Sequence, residues 1–124
     1  MGTFYTECRV ENHIERQRSV DARVLVDTGS ENTWISEETL RALGVAPEKQ
    51  GVAFVMANGG LLTREVGFAI IRVGDRLTID EVVFAQKGDL QILGARSLEG
   101  LNLMVDPAKK KLVSAGPLPA AALV

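Results

Sequence analysis

The chain has 124 residues and a net charge of −2, and its 46% hydrophobic and 24% charged residues are typical of one soluble globular domain. The near balance of 14 basic and 16 acidic residues argues against a nucleic-acid partner or an anionic membrane surface, and the single cysteine excludes an internal disulfide framework. No apolar run is long enough to span a bilayer and the first residues do not begin a signal peptide, so we expect a cytoplasmic protein.

The first two predicted elements are β-strands. Apolar and polar side chains alternate in residues 4–10, which indicates a half-buried strand with Cys8 as a small core residue. A second alternating run, residues 20–26, leads directly into Asp27 and is broken by Gly29. The chain therefore carries an acidic side chain at the end of an apolar strand.

One segment has the pattern of a helix. Ser36 suits the N-cap, the two glutamates after it favour a helix N-terminus, and Gly44 suits the C′ position. Leu40 and Leu43 fall at the spacing of one apolar helix face. We predict a helix between Ser36 and Gly44.

The second half of the chain has mostly the pattern of short strands. Residues 52–56 and 61–73 flank a turn that contains Gly59 and Gly60, which predicts a β-hairpin. Further strands are predicted at residues 77–79, 82–84, 92–94, 103–105 and 112–113, with one or two helical turns at residues 95–100. The predicted fold class is mainly β, with one or two short helices.

The sequence predicts a single domain, residues 1–116, followed by a tail, residues 117–124. The tail is apolar, uncharged and contains two prolines, so we predict that it is disordered. The alternative is that it occupies the cleft of a neighbouring molecule as a substrate-like strand.

The most informative motif is Asp27-Thr28-Gly29-Ser30. A carboxylate at the end of a buried strand is costly unless hydrogen bonds offset its desolvation, and the next three residues offer two hydroxyls and accessible backbone N–H groups. Acid–base catalysis by the carboxylate is one interpretation, and an ordinary Asx-turn at a strand end is the other. Five further aspartates lie in polar or turn contexts and are predicted to be solvated: Asp21, Asp75, Asp80, Asp89 and Asp106.

The sequence around this motif resembles the retropepsin-like aspartic proteases, the single-domain relatives of pepsin, and in particular their small bacterial and archaeal members. Residues 24–30 match the family signature of hydrophobic residues followed by Asp-Thr-Gly-Ser, and residues 92–98 match its second signature, two hydrophobic residues, a glycine and a short helix. Residues 56–60 stand where the family carries a glycine-tipped flap hairpin, and residues 34–43 resemble the segment after the active-site turn. The resemblance covers about residues 3–115.

The resemblance implies an acid protease fold, a closed β-barrel that forms a symmetric homodimer, with aspartic endopeptidase activity and no metal or organic cofactor. In this family two aspartates share a proton, because close carboxylates cannot both ionise. One activates a water that attacks the peptide carbonyl, and the other donates a hydrogen bond to the carbonyl oxygen. Only Asp27 is followed by Thr-Gly, so the second aspartate is expected to be Asp27 of a second chain. Thr28, Gly29 and Ser30 would support this pair.

The resemblance also implies a site for a peptide or protein substrate, which would bind in an extended conformation beneath the flap. The residues implied are Met56, Ala57, Asn58, Gly59 and Gly60 of the flap and Ile92 near the floor. An ordinary Asn-Gly hairpin turn is the alternative interpretation of the flap segment. The alternative function is a non-catalytic dimerisation or peptide-binding module of the same fold, although such a module would not need an acidic pair.

Overall fold

The structure is a computed structural model that describes residues 3–122. In this range the strands are β1 (Phe4–Glu11), β2 (Ser19–Val26), β3 (Thr33–Ser36), β4 (Lys49–Val55), β5 (Leu61–Val73), β6 (Arg76–Ala85), β7 (Ile92–Leu93), β8 (Leu103–Asp106) and β9 (Lys111–Ser114). The helices in the same range are α1 (Glu37–Ala42) and α2 (Ala95–Leu101). The predicted mainly β class with one or two short helices is confirmed.

The strand order brings a segment from late in the chain beside the end of β2. Seven strands form one sheet in the order β1-β2-β7-β3-β6-β5-β4, and β1 also pairs with β5, so the pairing returns to the first strand. The short strand β7 pairs in parallel with β2 and antiparallel with β3. Strands β2 and β3 are consecutive in the chain but are separated in the sheet by β7. The turn after β2 therefore lies next to the glycine that follows β7.

Aliphatic side chains fill most of the core, because only 5% of the residues are aromatic. The fully buried side chains include Phe84, Ile35, Leu40, Ile71 and Leu93. Burial of each such side chain contributes about 1.5–3 kcal/mol to folding. Cys8 is also buried, and desolvation together with the charge of Asp21 raises the pKa of its thiol to about 12. The thiol therefore stays protonated and acts as a small core group, as predicted.

Helix α1 begins and ends at the residues that the sequence indicated. The Ser36 hydroxyl oxygen accepts a hydrogen bond from the Thr39 N–H at 3.2 Å. At the other end Gly44 has a φ of 76°, and the Val45 N–H donates to the Leu40 carbonyl at 2.9 Å. Both predicted caps are confirmed.

Two strands near the middle of the chain differ from the prediction. Strand β3 was not predicted, because it is defined by its pairing with distant strands, in parallel with β6 and antiparallel with β7. Strand β4 begins at Lys49 and not at residue 52. The extra residues continue the strand through a register irregularity at Gly51, whose φ of 64° suits glycine.

Strand β6 is continuous, whereas the sequence predicted two strands at residues 77–79 and 82–84. The polar pair between them, Asp80 and Glu81, does not interrupt the strand because both carboxylates have partners. Asp80 accepts a hydrogen bond from the Ser97 hydroxyl at 3.0 Å, and Glu81 forms ion pairs with two basic side chains. The prediction that Asp80 is solvated is wrong.

The predicted tail has no regular secondary structure over residues 117–122, and Leu118 is 71% exposed. The last two residues of this tail and the first two of the predicted domain lie outside the described residues. Within the described range, neither helix has the length and apolar character needed to cross a membrane.

Candidate active site

Asp27 lies directly after β2, half-buried, and is held mainly by backbone groups. Its N–H donates to the Leu93 carbonyl of β7 at 3.1 Å, and its own carbonyl accepts from the Ser30 N–H at 3.2 Å. The Gly29 N–H donates to the carboxylate atom Oδ1 at 2.9 Å. This last contact has the geometry of an Asx-turn, so the local structure is compatible with both the catalytic and the simpler interpretation.

The two hydroxyl residues of the motif have different surroundings. Thr28 is exposed. The Ser30 hydroxyl donates to the Asn32 carbonyl at 3.0 Å, and so it stabilises the loop that follows instead of the carboxylate. Of the three residues predicted to support Asp27, only Gly29 contacts its carboxylate directly, and it does so through backbone.

Helix α2 packs its first turn against the loop after Asp27. The Ala95 N–H donates to the Ser30 carbonyl at 2.8 Å, and the Arg96 N–H donates to the Glu31 carbonyl at 3.0 Å. A Cβ on Gly94 would overlap the Asn32 carbonyl group, so only glycine permits this approach. The glycine of the second sequence signature therefore has a steric role beside the loop that carries Asp27.

A chain of buried hydrogen bonds lies under this junction. The Gly94 N–H donates to Thr33 Oγ1 at 3.0 Å, and Thr33 Oγ1 lies 2.6 Å from Ser97 Oγ. The Ser97 hydroxyl donates to Asp80 Oδ2, so the Thr33 hydroxyl donates to Ser97 and every hydroxyl has a partner. Thr33 and Ser97 are completely buried. No local pattern in the sequence indicates these hydrogen bonds, because the residues that form them are up to 64 positions apart.

Three partly buried apolar side chains form a surface beside Asp27 on the face opposite the core. Ile92 pairs with Leu25 of β2 and with Trp34 of β3, and all three are half-buried. The next residue, Leu93, is fully buried. Because successive strand residues face opposite sides, Ile92 points away from the core. The structure thus places Ile92 in an apolar surface beside Asp27. Leu25 and Trp34 belong to the same surface and were not predicted as site residues.

The β4–β5 hairpin contacts this apolar surface at Trp34. The ring of Phe54 on β4 lies 5.1 Å from the ring of Trp34, measured between centroids, with the planes tilted by 60°. The hairpin therefore approaches the same face of the sheet as Ile92. Aromatic residues are few in this sequence, and two of them, Trp34 and Phe54, form this contact. Their rarity is the sequence signal that could have drawn attention to them.

The tip of the hairpin, residues 56–60, is an exposed turn with internal hydrogen bonds. The Met56 N–H donates to the Gly60 carbonyl at 2.7 Å, and the Gly59 N–H donates to the Met56 carbonyl at 2.8 Å. The Asn58 side chain accepts from the Gly60 N–H at 2.8 Å. Gly59 has a φ of 86°, which explains a glycine at this position.

Residues 86–91 connect β6 to β7 and contact both the hairpin and the strands beside Asp27. Arg64 of β5 donates to both carboxylate oxygens of Asp89, at 2.7 and 2.9 Å, and both side chains are largely buried. The Gln91 side chain accepts from the Ser36 N–H at 2.9 Å and donates to the Arg23 carbonyl at 3.1 Å. The prediction that Asp89 is solvated is wrong, because its partner lies 25 residues away in the sequence.

A cleft of about 750 Å³ lies beside these residues, lined by residues 36–38 and 85–89. Asp27 does not line this cleft. Within residues 3–122, His, Cys, Asp and Glu side chains form no group of three or more that could hold a metal ion. The chemical groups assembled around Asp27 are therefore a carboxylate, backbone amides and an apolar surface.

Comparison with known proteins identifies a similarity that covers most of the chain. A family model described as aspartyl protease matches residues 8–107. The matched range contains Asp27, the β4–β5 hairpin and helix α2. A comparison with curated proteins yielded no match.

Proposed function

Because the chain belongs to an aspartyl protease family of retropepsin-like type, we propose that it is an aspartic endopeptidase whose active site combines Asp27 from two copies of the chain. Peptide-bond hydrolysis is the activity of this family. The observation that carries the proposal is the environment of the Asp27 carboxylate. This carboxylate is half-buried and oriented by the Gly29 N–H, and the N–H of Asp27 donates to the Leu93 carbonyl of β7.

The surroundings of the other aspartates support a second copy as the source of the second carboxylate. Asp80 and Asp89 are occupied by Ser97 and Arg64, respectively. Asp106 accepts hydrogen bonds from two N–H groups of the β8–β9 turn. Asp21 and Asp75 are exposed on β2 and in the β5–β6 turn, respectively. One protomer therefore offers a single aspartate in the proposed catalytic setting, and a twofold axis beside it would supply the partner.

The proposed reaction uses the two Asp27 carboxylates in different protonation states. The ionised carboxylate takes a proton from a water, whose oxygen attacks the peptide carbonyl carbon. The protonated carboxyl donates a hydrogen bond to the carbonyl oxygen and stabilises the negative charge that develops there. The tetrahedral intermediate then collapses, the C–N bond breaks, and the proton that the carboxylate took from water passes to the departing amine. The Gly29 N–H contacts the Oδ1 atom of Asp27 and so holds the orientation of the carboxyl group.

The β4–β5 hairpin is proposed to act as the flap that covers an extended substrate. The N–H groups of Met56, Gly59 and Gly60 are used inside the turn. The N–H groups of Ala57 and Asn58 have no hydrogen-bond acceptor among the described residues. We propose that they donate hydrogen bonds to the backbone of the substrate. Ile92 and the apolar residues beside it would contact substrate side chains below.

The ring of strand pairing supports a closed barrel as the protomer architecture, and the exposed position of Thr28 supports its use at a dimer axis. A dimer would also give a chain of this size additional buried surface. The dimer is therefore part of the proposed mechanism as well as of the proposed architecture.

The experiment that tests the function is cleavage of a mixed peptide library by the purified protein between about pH 4 and 7. Asp27→Asn removes the proposed catalytic carboxylate with little change in shape. Asp75→Asn is the matched control, because Asp75 is exposed in a turn away from the site. We expect wild type and Asp75→Asn to cleave peptides and Asp27→Asn to lose at least about a thousandfold in kcat.

Two results would contradict the proposal. Equal cleavage by wild type and Asp27→Asn would remove Asp27 from the chemistry. If no protein cleaves any peptide and all three bind extended peptides equally, the chain is a peptide-binding module of the same fold.

A further inference from the structure

The proposed substrate groove is the space between the β4–β5 hairpin and the apolar surface that contains Ile92. The ion pair between Arg64 and Asp89 joins two segments that flank this groove. Arg64 lies on β5, four residues after the tip of the hairpin, and Asp89 lies in the connection between β6 and β7. The guanidinium donates from Nε to Oδ2 at 2.7 Å and from a terminal nitrogen to Oδ1 at 2.9 Å. Two parallel hydrogen bonds define both the distance and the orientation of the two groups.

This pair is better protected from water than the neighbouring ion pairs. The side chains of Arg64 and Asp89 are 14% and 16% exposed, whereas those of Arg41 and Glu65 are 49% and 32% exposed. Exposed ion pairs contribute little to positioning, because water competes for both charges. The Arg64 guanidinium also holds the pKa of the Asp89 carboxyl below its usual range. The pair therefore stays charged in moderately acidic solution.

The Asp89 carboxylate also organises the loop in which it lies. Its Oδ2 atom accepts from the Gln86 N–H at 2.9 Å, and the Asp89 N–H donates to the Gln86 carbonyl at 2.9 Å. Two residues later, the Gln91 side chain accepts a hydrogen bond from the Ser36 N–H and donates one to the Arg23 carbonyl. The loop is thus fixed to the hairpin at one end and to β2 and β3 at the other.

The same connection continues to the catalytic motif. The Gln91 carbonyl accepts from the Leu25 N–H at 2.9 Å, and the Leu93 carbonyl accepts from the Asp27 N–H at 3.1 Å. Every step from Arg64 to Asp27 is therefore an ion pair, a backbone hydrogen bond or one or two residues of chain.

We propose that Arg64 and Asp89 are positioning residues that hold the β4–β5 hairpin at a defined distance from the loop beside Asp27, and so set the width of the substrate groove. The consequence for substrate binding rests on the proposed function. The positioning itself is a property of the free protein and is measured separately.

The test compares Asp89→Asn, Arg64→Gln and the double variant with wild type by hydrogen exchange of the backbone amides. Asparagine can still accept from the Gln86 N–H, so Asp89→Asn removes the ion pair and keeps the turn. Glu65→Gln is the matched control, because Glu65 is the next residue on β5 and pairs with Arg41 on α1. We expect hydrogen exchange in residues 50–63 and 86–91 to become roughly five- to tenfold faster in either single variant than in wild type. The double variant should exchange at the same rate as the single variants.

Exchange in these segments that matches the Glu65→Gln control would overturn the proposal, even in an active enzyme. Additive effects in the double variant would also overturn it, since the two residues would then act independently. Asp89→Asn and Arg64→Gln each remove one member of the same ion pair. If one of these variants folds poorly, the exchange rates of the other still test the proposal.

Peptide hydrolysis is the second measurement. We expect KM to rise about fivefold while kcat stays within about twofold, because a loosened hairpin weakens substrate and transition-state binding alike. A fall in kcat with KM unchanged would contradict the role in groove width. Absence of hydrolysis by wild type, together with faster exchange in the variants, would contradict the proposed function and leave the positioning role supported.

Discussion

The carboxylate of Asp27 is oriented by backbone and not by neighbouring hydroxyls. The Gly29 N–H binds its Oδ1 atom, and the Leu93 carbonyl binds its N–H. Its position therefore depends on residues that keep the backbone close, above all Gly94, where a Cβ would overlap the Asn32 carbonyl. We therefore expect the site to be sensitive to small increases of side-chain volume in the loops around Asp27.

Replacement of Gly94 by alanine should separate the first turn of α2 from the loop after Asp27. We expect the free energy of unfolding to fall by about 3 kcal/mol, the upper end of the usual cost of overpacking, because the added Cβ would overlap backbone atoms. Denaturant unfolding measures this loss. Gly88→Ala is the control, because Gly88 has open space around it and a φ of 95°, so that only backbone strain of about 1 kcal/mol is expected. Equal losses in the two variants would contradict the steric role of Gly94.

Replacement of Ser97 by alanine should break the buried chain that ends at Asp80. The Thr33 hydroxyl then loses its acceptor, and we expect unfolding free energy to fall by about 1–3 kcal/mol. Asp80→Asn keeps an acceptor for the Ser97 hydroxyl and should cost less. Thermal and denaturant unfolding of both variants provide the measurement, and a greater loss in Asp80→Asn would contradict the described direction of the chain.

At the scale of secondary structure, the sequence predicted elements with strong local patterns and missed those that depend on distant partners. Strand β5 was predicted over residues 61–73, as observed, and the Ser36 and Gly44 caps of α1 were predicted correctly. Strand β3 was missed because its four residues are defined by pairing with β6 and β7. Local pattern contains no information on such pairing.

The same distinction applies to the candidate site. The motif from Asp27 to Ser30 and its position at a strand end were readable from the sequence. The partners of Asp80 and Asp89 were not, because Ser97 and Arg64 reach them from other elements. An acidic residue in a polar stretch is solvated unless the fold brings a partner, and a single sequence does not show that partner.

Strand β1 carries a buried carboxylate whose ion pairs link three elements. Glu11 has a 6% exposed side chain and binds Arg72 of β5 at 2.9 Å and Arg16 of the following loop at 3.1 Å. The hydrogen bond from Arg72, more than any other contact, lowers the pKa of the Glu11 carboxyl below its ordinary value of 4.5. The folded state therefore binds a proton at this group less readily than the unfolded state does.

This difference predicts a pH-dependent contribution to stability. The contribution is fully present above about pH 4.5 and is lost as the pH falls through the lowered pKa of Glu11. Glu11→Gln should reduce unfolding free energy at pH 7 by about 1–3 kcal/mol, and its difference from wild type should shrink on acidification. The control is Glu7→Gln, at an exposed position of the same strand. A difference that stays constant from pH 7 to pH 3 would contradict this assignment.

At the scale of the whole molecule, the described C-terminal residues contribute little to the protomer. The Asn102 side chain donates to the Gly116 carbonyl at 2.7 Å, and the residues from 117 to 122 are exposed. We expect removal of residues 117–124 to leave the unfolding midpoint unchanged. If this tail occupied a neighbouring cleft, its removal would also change peptide affinity or cleavage rate, and unchanged values in both assays would exclude that role.

The proposed active site needs two chains, because it combines Asp27 of one chain with Asp27 of a second. Dilution should therefore reduce activity per chain, since it favours dissociation of the active dimer.

The most direct test mixes wild type with Asp27→Asn under conditions that allow subunits to exchange, and measures activity per wild-type chain. With one equivalent of Asp27→Asn, about half of the wild-type chains are expected to lie in mixed dimers that carry one aspartate, so the activity per wild-type chain should fall to about half. It should continue to fall as more of the variant is added. Activity per wild-type chain that stays constant at every ratio, after mixed dimers have been verified by mass, would contradict an active site shared between two chains.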